Sequence, residues 1–265
     1  MQERLGLATC FYAEPSAEKW RQAAAAGFTD AEIDVDGRQN AAAICQQAQQ
    51  RYDELTAGGL RPSSLHLPFG DAWDISTEDA ALSPQLLAGL ETILRWARQQ
   101  DIRLAVLHAS FEPIPEARRS VRLALAKANL QRLAERAAKL DIRLAVEDLP
   151  RSCLGNCSAE LEQLTQTGLV AGVCFDVNHL LKESHQAFVG RVGRYILTTH
   201  LSDYDRIDER HWFPGEGCID WPALKQLLRQ ADYRGRWLFE LNENAAPSLG
   251  RPFTPAELAA RFNAY

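Results

Sequence analysis

The chain reads as an α/β protein, a (β/α)8 barrel in a single domain spanning residues 1–265. Two observations predict this. Short apolar runs alternate with helical patterns along the whole length of 265 residues. The runs are continuously apolar rather than alternating, the mark of parallel strands buried on both faces. Eight such units close most simply into a barrel. An open doubly wound sheet is the structural competitor, but the Gly-rich turn after the first strand that marks nucleotide-binding versions is missing.

Taken in order, residues 5–11 predict the first strand, and residues 16–26 a helix stopped at Gly27, where helices commonly end. Residues 31–35 form a short second strand, and residues 41–57 an Ala- and Gln-rich helix closed by Gly58 and Gly59. The third strand covers residues 63–68, followed by a helix over 84–98 with Leu86, Leu87, Leu90, Ile93 and Leu94 on one side. Strand four covers 103–108, and the longest helix runs from 115 to 140. Residues 101–106 and 141–146 are identical, DIRLAV in both, so a helix end feeding a buried strand is repeated. The fifth strand therefore ends at Glu147. Residues 170–175 give strand six, 195–197 strand seven and 237–239 strand eight, with a short last helix over 255–262. After strand seven, Pro214, Gly215 and Gly217 force a tight turn, and Leu224, Leu227 and Leu228 then mark a helix.

Composition narrows the function. With 46% hydrophobic and 24% charged residues the chain is globular, and no apolar stretch is long enough to cross a membrane. Its start carries no apolar signal region, so a cytoplasmic location is expected. A net charge of −6 and a pI of about 5.6 give no basic footprint for nucleic acid and favour a small-molecule partner. The six cysteines lack the spacing of a disulfide scaffold, and Cys153 and Cys157 lack the second pair a zinc site needs. A short final helix leaves the outer ring thinly covered there, a face that a homodimer would cover.

The informative fact is positional. His66, His108, Glu147, Asp176, His179, His200 and Glu240 all fall at or just after predicted strand ends, with His211 in the seventh loop. In a barrel these ends converge on one face, where active sites lie. Glu147, Asp176, His200 and Glu240 come from strands five to eight in succession. Three carboxylates and an imidazole suit a divalent cation such as Mn²⁺, Mg²⁺, Co²⁺ or Zn²⁺. Asp148 and Asp203, also at strand ends, are expected to cap helices. Phe11, Trp73 and Trp212 are candidate apolar stacking faces for a bound ligand. Arg151, Arg206, Arg210 and Arg251 are loop cations able to meet a phosphate or carboxylate.

At these residues the chain resembles the xylose-isomerase-like TIM barrel superfamily, which holds sugar-phosphate isomerases and epimerases and the metal-dependent apurinic endonucleases. The matching features are Glu147, Asp176-x-x-His179, His200-Leu-Ser-Asp203, Pro214-Gly-Glu-Gly217-x-Ile-Asp-Trp221 and Glu240. The resemblance implies a divalent-metal-dependent isomerase or epimerase acting on a carbohydrate. Glu147, Asp176, His200 and Glu240 would hold the metal, which stabilises an enediolate. Glu147 and Glu240 would move the proton beside the carbonyl, and His66, His108, His179 and His211 would bind substrate. A dehydratase is a close variant. The alternative is a multinuclear-zinc phosphodiesterase, in which His66, His108, His179, Glu209 and His211 become additional metal ligands, with Glu209 where that group has Asp. A third reading is a binding barrel without turnover.

Overall fold

A computed structural model describes residues 3–166 and 168–265. Among them, eight parallel strands pair in sequence order, and β8 returns to β1 to close the barrel. The strands are β1 (Leu5–Ala8), β2 (Phe28–Ile33), β3 (Arg61–His66), β4 (Leu104–Leu107), β5 (Arg143–Glu147), β6 (Gly172–Asp176), β7 (Ile196–Leu201) and β8 (Trp237–Phe239). The outer layer is α1 (Ala17–Ala25), α2 (Ala41–Ala57), α3 (Leu82–Gln99), α4 (Glu116–Lys139), α5 (Ser158–Leu164), α6 (His185–Val192), α7 (Trp221–Gln230) and α8 (Pro255–Asn263). None of the described helices is long and apolar enough to cross a membrane.

Local chemistry explains the helix ends. Ser16, Asn40, Ser184, Asp220 and Thr254 each accept a backbone N–H of the first turn, and Thr254 with Glu257 forms a reciprocal capping box. The repeated DIRLAV segments share one geometry: Asp101 and Asp141 both take the left-handed conformation, φ 59° and 54°, just after α3 and α4. Arg103 pairs with both aspartates and so ties the two turns together.

Several boundaries differ from the expectation. β1 stops at Ala8, because Thr9–Phe11 curls into a 3-10 turn. β2 begins at Phe28 rather than Ala31. Its polar start is buried by pairing: Asp30 accepts from Arg61 and Arg236 at the base of the barrel. β3 runs over Arg61–His66 and ends before Pro68, which has no N–H for a ladder. β7 extends through His200 and Leu201, so the functional residues begin inside the strand rather than after it. α5 is seven residues long, too short for a helical period to register in the sequence.

Leu104, Val106, Ala145 and Cys174 form a separate lumen cluster, whereas Leu7, Phe28 and Phe239 belong to the large core beneath the helices. Because every strand runs the same way, the lumen residues at the C-terminal ends face one common pocket.

Candidate active site

Glu147 ends β5, Asp176 ends β6, His200 lies in β7, and Glu240 follows β8 directly. One ligand atom from each lies within 4.8 Å of those of the other three. Glu147, Asp176 and His200 are fully buried, and the Glu240 side chain retains 19% exposure toward the cavity. His200 Nδ1 is 3.0 Å from Glu147 Oε1 and 3.2 Å from Glu240 Oε2. The other Glu147 oxygen accepts from His66 Nε2 at 2.9 Å and from His108 Nε2 at 3.2 Å.

Two further groups adjoin this quartet. His66 and His108 converge with Glu147, and His179, Glu209 and His211 converge with one another, each within the same 4.8 Å limit. The backbone aims the rings. His66 Nδ1 donates to the Leu67 carbonyl, His179 Nδ1 to that of Asp148, and His211 Nδ1 to that of Glu240. His179 then presents Nε2 to Glu209 Oε2 at 3.2 Å and to Asp176 Oδ2 at 3.5 Å. His211 stands at φ 50°, in a turn where Asn178 Oδ1 accepts the Arg210 N–H. All eight residues expected at the site are therefore brought together, with Glu209 beside them.

Charge and burial oppose each other here. Burial works against a charged Glu147, but His200, His108 and His66 outweigh it and hold the carboxyl well below its usual range. Glu240 is held low in the same way, His200 outweighing burial. Asp176 differs: burial dominates and pushes it up to about 6, against the attraction of His179 and His211. Burial opposes a charge on His66 too, yet Glu147 raises it to about 9, whereas burial prevails at His108 and lowers it. Hydrogen bonding from His179 brings Glu209 down to about 2, aided by Arg151 and against burial.

The cavity above these groups has a volume of about 210 Å³. Its lining also includes Phe69, Ser110, Phe111, Leu149, Pro150 and Cys153. Phe69 lies flat on His108, with centroids 4.4 Å apart. Phe11, Trp73 and Trp212 do not line this cavity. Phe11 is packed in the core against Tyr12 and Phe253, Trp73 is buried with its Nε1 on the Gly37 carbonyl, and Trp212 pairs its backbone with Asp203. Residue type alone does not tell which way a ring points.

Asp148 and Asp203 are structural, but neither caps a helix. Asp148 Oδ1 accepts the Asp176 N–H, and Asp203 organises the seventh loop. Of the loop arginines, only Arg151 lines the cavity, where it pairs with Glu112, Asp208 and Glu209. Arg210 pairs with Asp205, and Arg251 with Glu257. Sequence reasoning also missed Glu32 of β2, 1% exposed, whose Oε1 lies 2.7 Å from His200 Nε2. The signal was available: an acidic residue between Ala31 and Ile33, inside an apolar strand.

Residues 20–261 match the family described as xylose isomerase-like TIM barrel. The chain belongs to that family. Within the wider set of relatives, it is 27% identical to a ketose 3-epimerase from Arthrobacter globiformis, over 77% of this chain and 72% of that protein. Among solved structures it is similar to a D-tagatose 3-epimerase-like protein, with a TM-score of 0.76 and 18% identity over 98% of this chain and 96% of that one. It is equally similar to the 3-keto-D-glucoside 4-epimerase of E. coli, with a TM-score of 0.76 and 19% identity over the whole of both chains. At such identities the two structures speak for the fold of this xylose isomerase-like barrel.

Proposed function

We propose that this barrel is a divalent-cation-dependent epimerase of free ketoses, with Glu147 and Glu240 moving the proton beside the carbonyl. The observation that carries the reading is the convergence of Glu147, Asp176, His200 and Glu240 within 4.8 Å at the floor of a small cavity. The donor set fits a cation. Three carboxylates crowd one imidazole, and Asp176 Oδ2 is buried with no hydrogen-bond partner among the described residues. Hard oxygen donors with one nitrogen suit Mn²⁺, Mg²⁺, Co²⁺ or Zn²⁺. When bound, such an ion would supply positive charge to adjacent substrate oxygens as an enediolate forms.

The chain's own groups do the rest. Glu147 and Glu240 are ionised at neutral pH, because their histidine neighbours outweigh burial, so either can take the proton from the carbon beside the carbonyl. The other, once protonated, returns a proton to the opposite face. His179 and His211 are placed to hold hydroxyl groups, and the Phe69 and Phe111 side keeps water from the reacting carbon. The name of the Arthrobacter relative supports a ketose and the carbon next to its carbonyl. A cavity of about 210 Å³ suits one sugar unit, being smaller than the ~300 Å³ at which drug-sized sites begin. It also argues for a free sugar. Its one guanidinium among the described lining residues, Arg151, is already engaged by three carboxylates, so a phosphate would meet no unpaired cation.

The test is ketose turnover in D₂O with added Mn²⁺, following deuterium entry at C3 and the appearance of the epimer. Free ketohexoses are expected to exchange, and their 6-phosphates at least ~10-fold more slowly, the consequence of like charges at the mouth. No exchange into any free ketose at saturating cation would overturn the proposal.

One observation favours a second reading, the multinuclear phosphodiesterase. The groups His66–His108–Glu147 and His179–Glu209–His211 offer two more donor sets, the first sharing Glu147 with the quartet and the second separate from it. Metal content decides between them. The epimerase is expected to hold one tightly bound ion per chain, lost in Asp176→Asn. Three tightly bound ions, reduced by His66→Ala or His211→Ala, would replace it with the phosphodiesterase.

A further inference from the structure

We infer that Glu32 is a positioning residue, reaching across the barrel lumen to fix His200 with Nδ1 toward the cation. The inference rests on the cation-dependent reading above. His66, His179 and His211 all anchor Nδ1 on a backbone carbonyl, and His66 and His179 present Nε2 to the carboxylates of the site. His200 is turned the other way. Its Nδ1 faces Glu147 and Glu240, and its Nε2 points into the lumen. A lumen offers that nitrogen no backbone acceptor, because strand carbonyls lie within the sheet and are used by its ladders. A side chain must supply one, and Glu32 does, at 2.7 Å, with both residues at or below 1% exposure.

The span is unusual for a strand pair. β2 and β7 are separated by β8 and β1 around the barrel. Register places Ala8 of β1 beside Glu32, and Gly6 of the same strand beside Leu238. On β1, the strand next to β2, the small side chains of Ala8 and Gly6 leave room for the carboxylate to reach into the lumen. A buried carboxylate costs free energy unless it is paired, and Glu32 Oε2 has no hydrogen-bond partner among the described residues. Glu32 therefore sits where a neutral residue would pack better, which is what a role through His200 explains. An imidazole ligand whose far N–H is held by a carboxylate is fixed in orientation and made a better donor.

The experiment uses the full chain stripped of metal, as wild type, E32Q and E32A, each titrated with Zn²⁺ by calorimetry. Imidazole N–H resonances are recorded before and after loading. Wild type is expected to keep a sheltered His200 Nε2–H signal in the Zn²⁺-loaded state. E32A should bind Zn²⁺ about 10–100-fold more weakly and lose that signal. E32Q, which preserves shape and an acceptor oxygen, should fall between the two. Should E32A fail to fold, E32Q and the wild-type spectrum carry the test. Zn²⁺ affinity within twofold of wild type in the folded variants, or a loaded wild type with the proton on Nδ1, would overturn the inference. A wild type that binds no Zn²⁺ would instead remove the cation-dependent reading, and this inference with it, so the two failures are distinguishable.

Discussion

Replacing Glu240 by Gln is expected to slow epimerisation by about 10²–10⁴-fold, the usual worth of a positioned proton-transfer group, in a protein that remains folded. Glu240 separates chemistry from structure better than Glu147 does. Glu147 is fully buried and accepts from His66 and His108 while facing His200, so its loss would leave three imidazoles without their common partner. Glu240 faces His200 and keeps 19% exposure toward the cavity, where a substrate arrives. The Gln variant keeps the shape and one acceptor oxygen but takes no proton at neutral pH. Deuterium exchange at C3 of a free ketose, measured at saturating cation beside a thermal melt, checks this. A variant retaining more than about a tenth of the exchange rate would show that the proton moves elsewhere. The saturation matters, since a lost ligand weakens cation binding as well, and only the rate with the cation in place reports on proton transfer.

The quartet was legible because strand ends can be read without knowing the fold in detail. In parallel strands the last polar residue after an apolar run has one direction to face, and β5, β6, β7 and β8 each carry one there. Glu32 escaped for the complementary reason. It lies within β2, whose polar opening Thr29-Asp30 hid the strand's true start at Phe28, and a carboxylate inside a strand has no local mark of the partner across the lumen. The aromatic wall was illegible too. Phe69 and Trp73 share one loop, and only packing decides that Phe69 lies on His108 while Trp73 is buried against Gly37. Arg151 illustrates the same limit in charge: its place at the mouth followed from its loop, but its three carboxylate partners come from two other loops. Local sequence registers where a side chain leaves the backbone, and long-range contacts determine what it meets.

Asp203→Ala is expected to destabilise the protein strongly, by about 4 kcal/mol or more. The carboxylate is fully buried and accepts four N–H groups: Oδ1 from Tyr204 at 2.9 Å and Ile219 at 3.1 Å, and Oδ2 from Gly215 at 2.8 Å and Trp221 Nε1 at 3.0 Å. Removing it leaves four donors without their acceptor, and those of buried Tyr204, Ile219 and Trp221 each cost ~1–3 kcal/mol. Such a loss lowers the melting temperature by roughly 8–16 °C in a chain of this size, at ~2–4 °C per kcal/mol. Asp203→Asn is expected to do nearly as badly, because its amide group would face two N–H donors with hydrogens of its own. The turn is packed closely against the carboxylate: a Cβ on Gly217 would clash with Asp203 Oδ1 and the Tyr204 carbonyl. The loop so held carries Glu209 and His211, and the backbone of Asp203 pairs with Trp212 next to them. Loss of activity should therefore accompany loss of stability, with faster amide exchange at Gly215 and Ile219. A melting temperature within about 2 °C of wild type would mean that the four donors find other acceptors, and that the carboxylate is not what holds the seventh loop over the site.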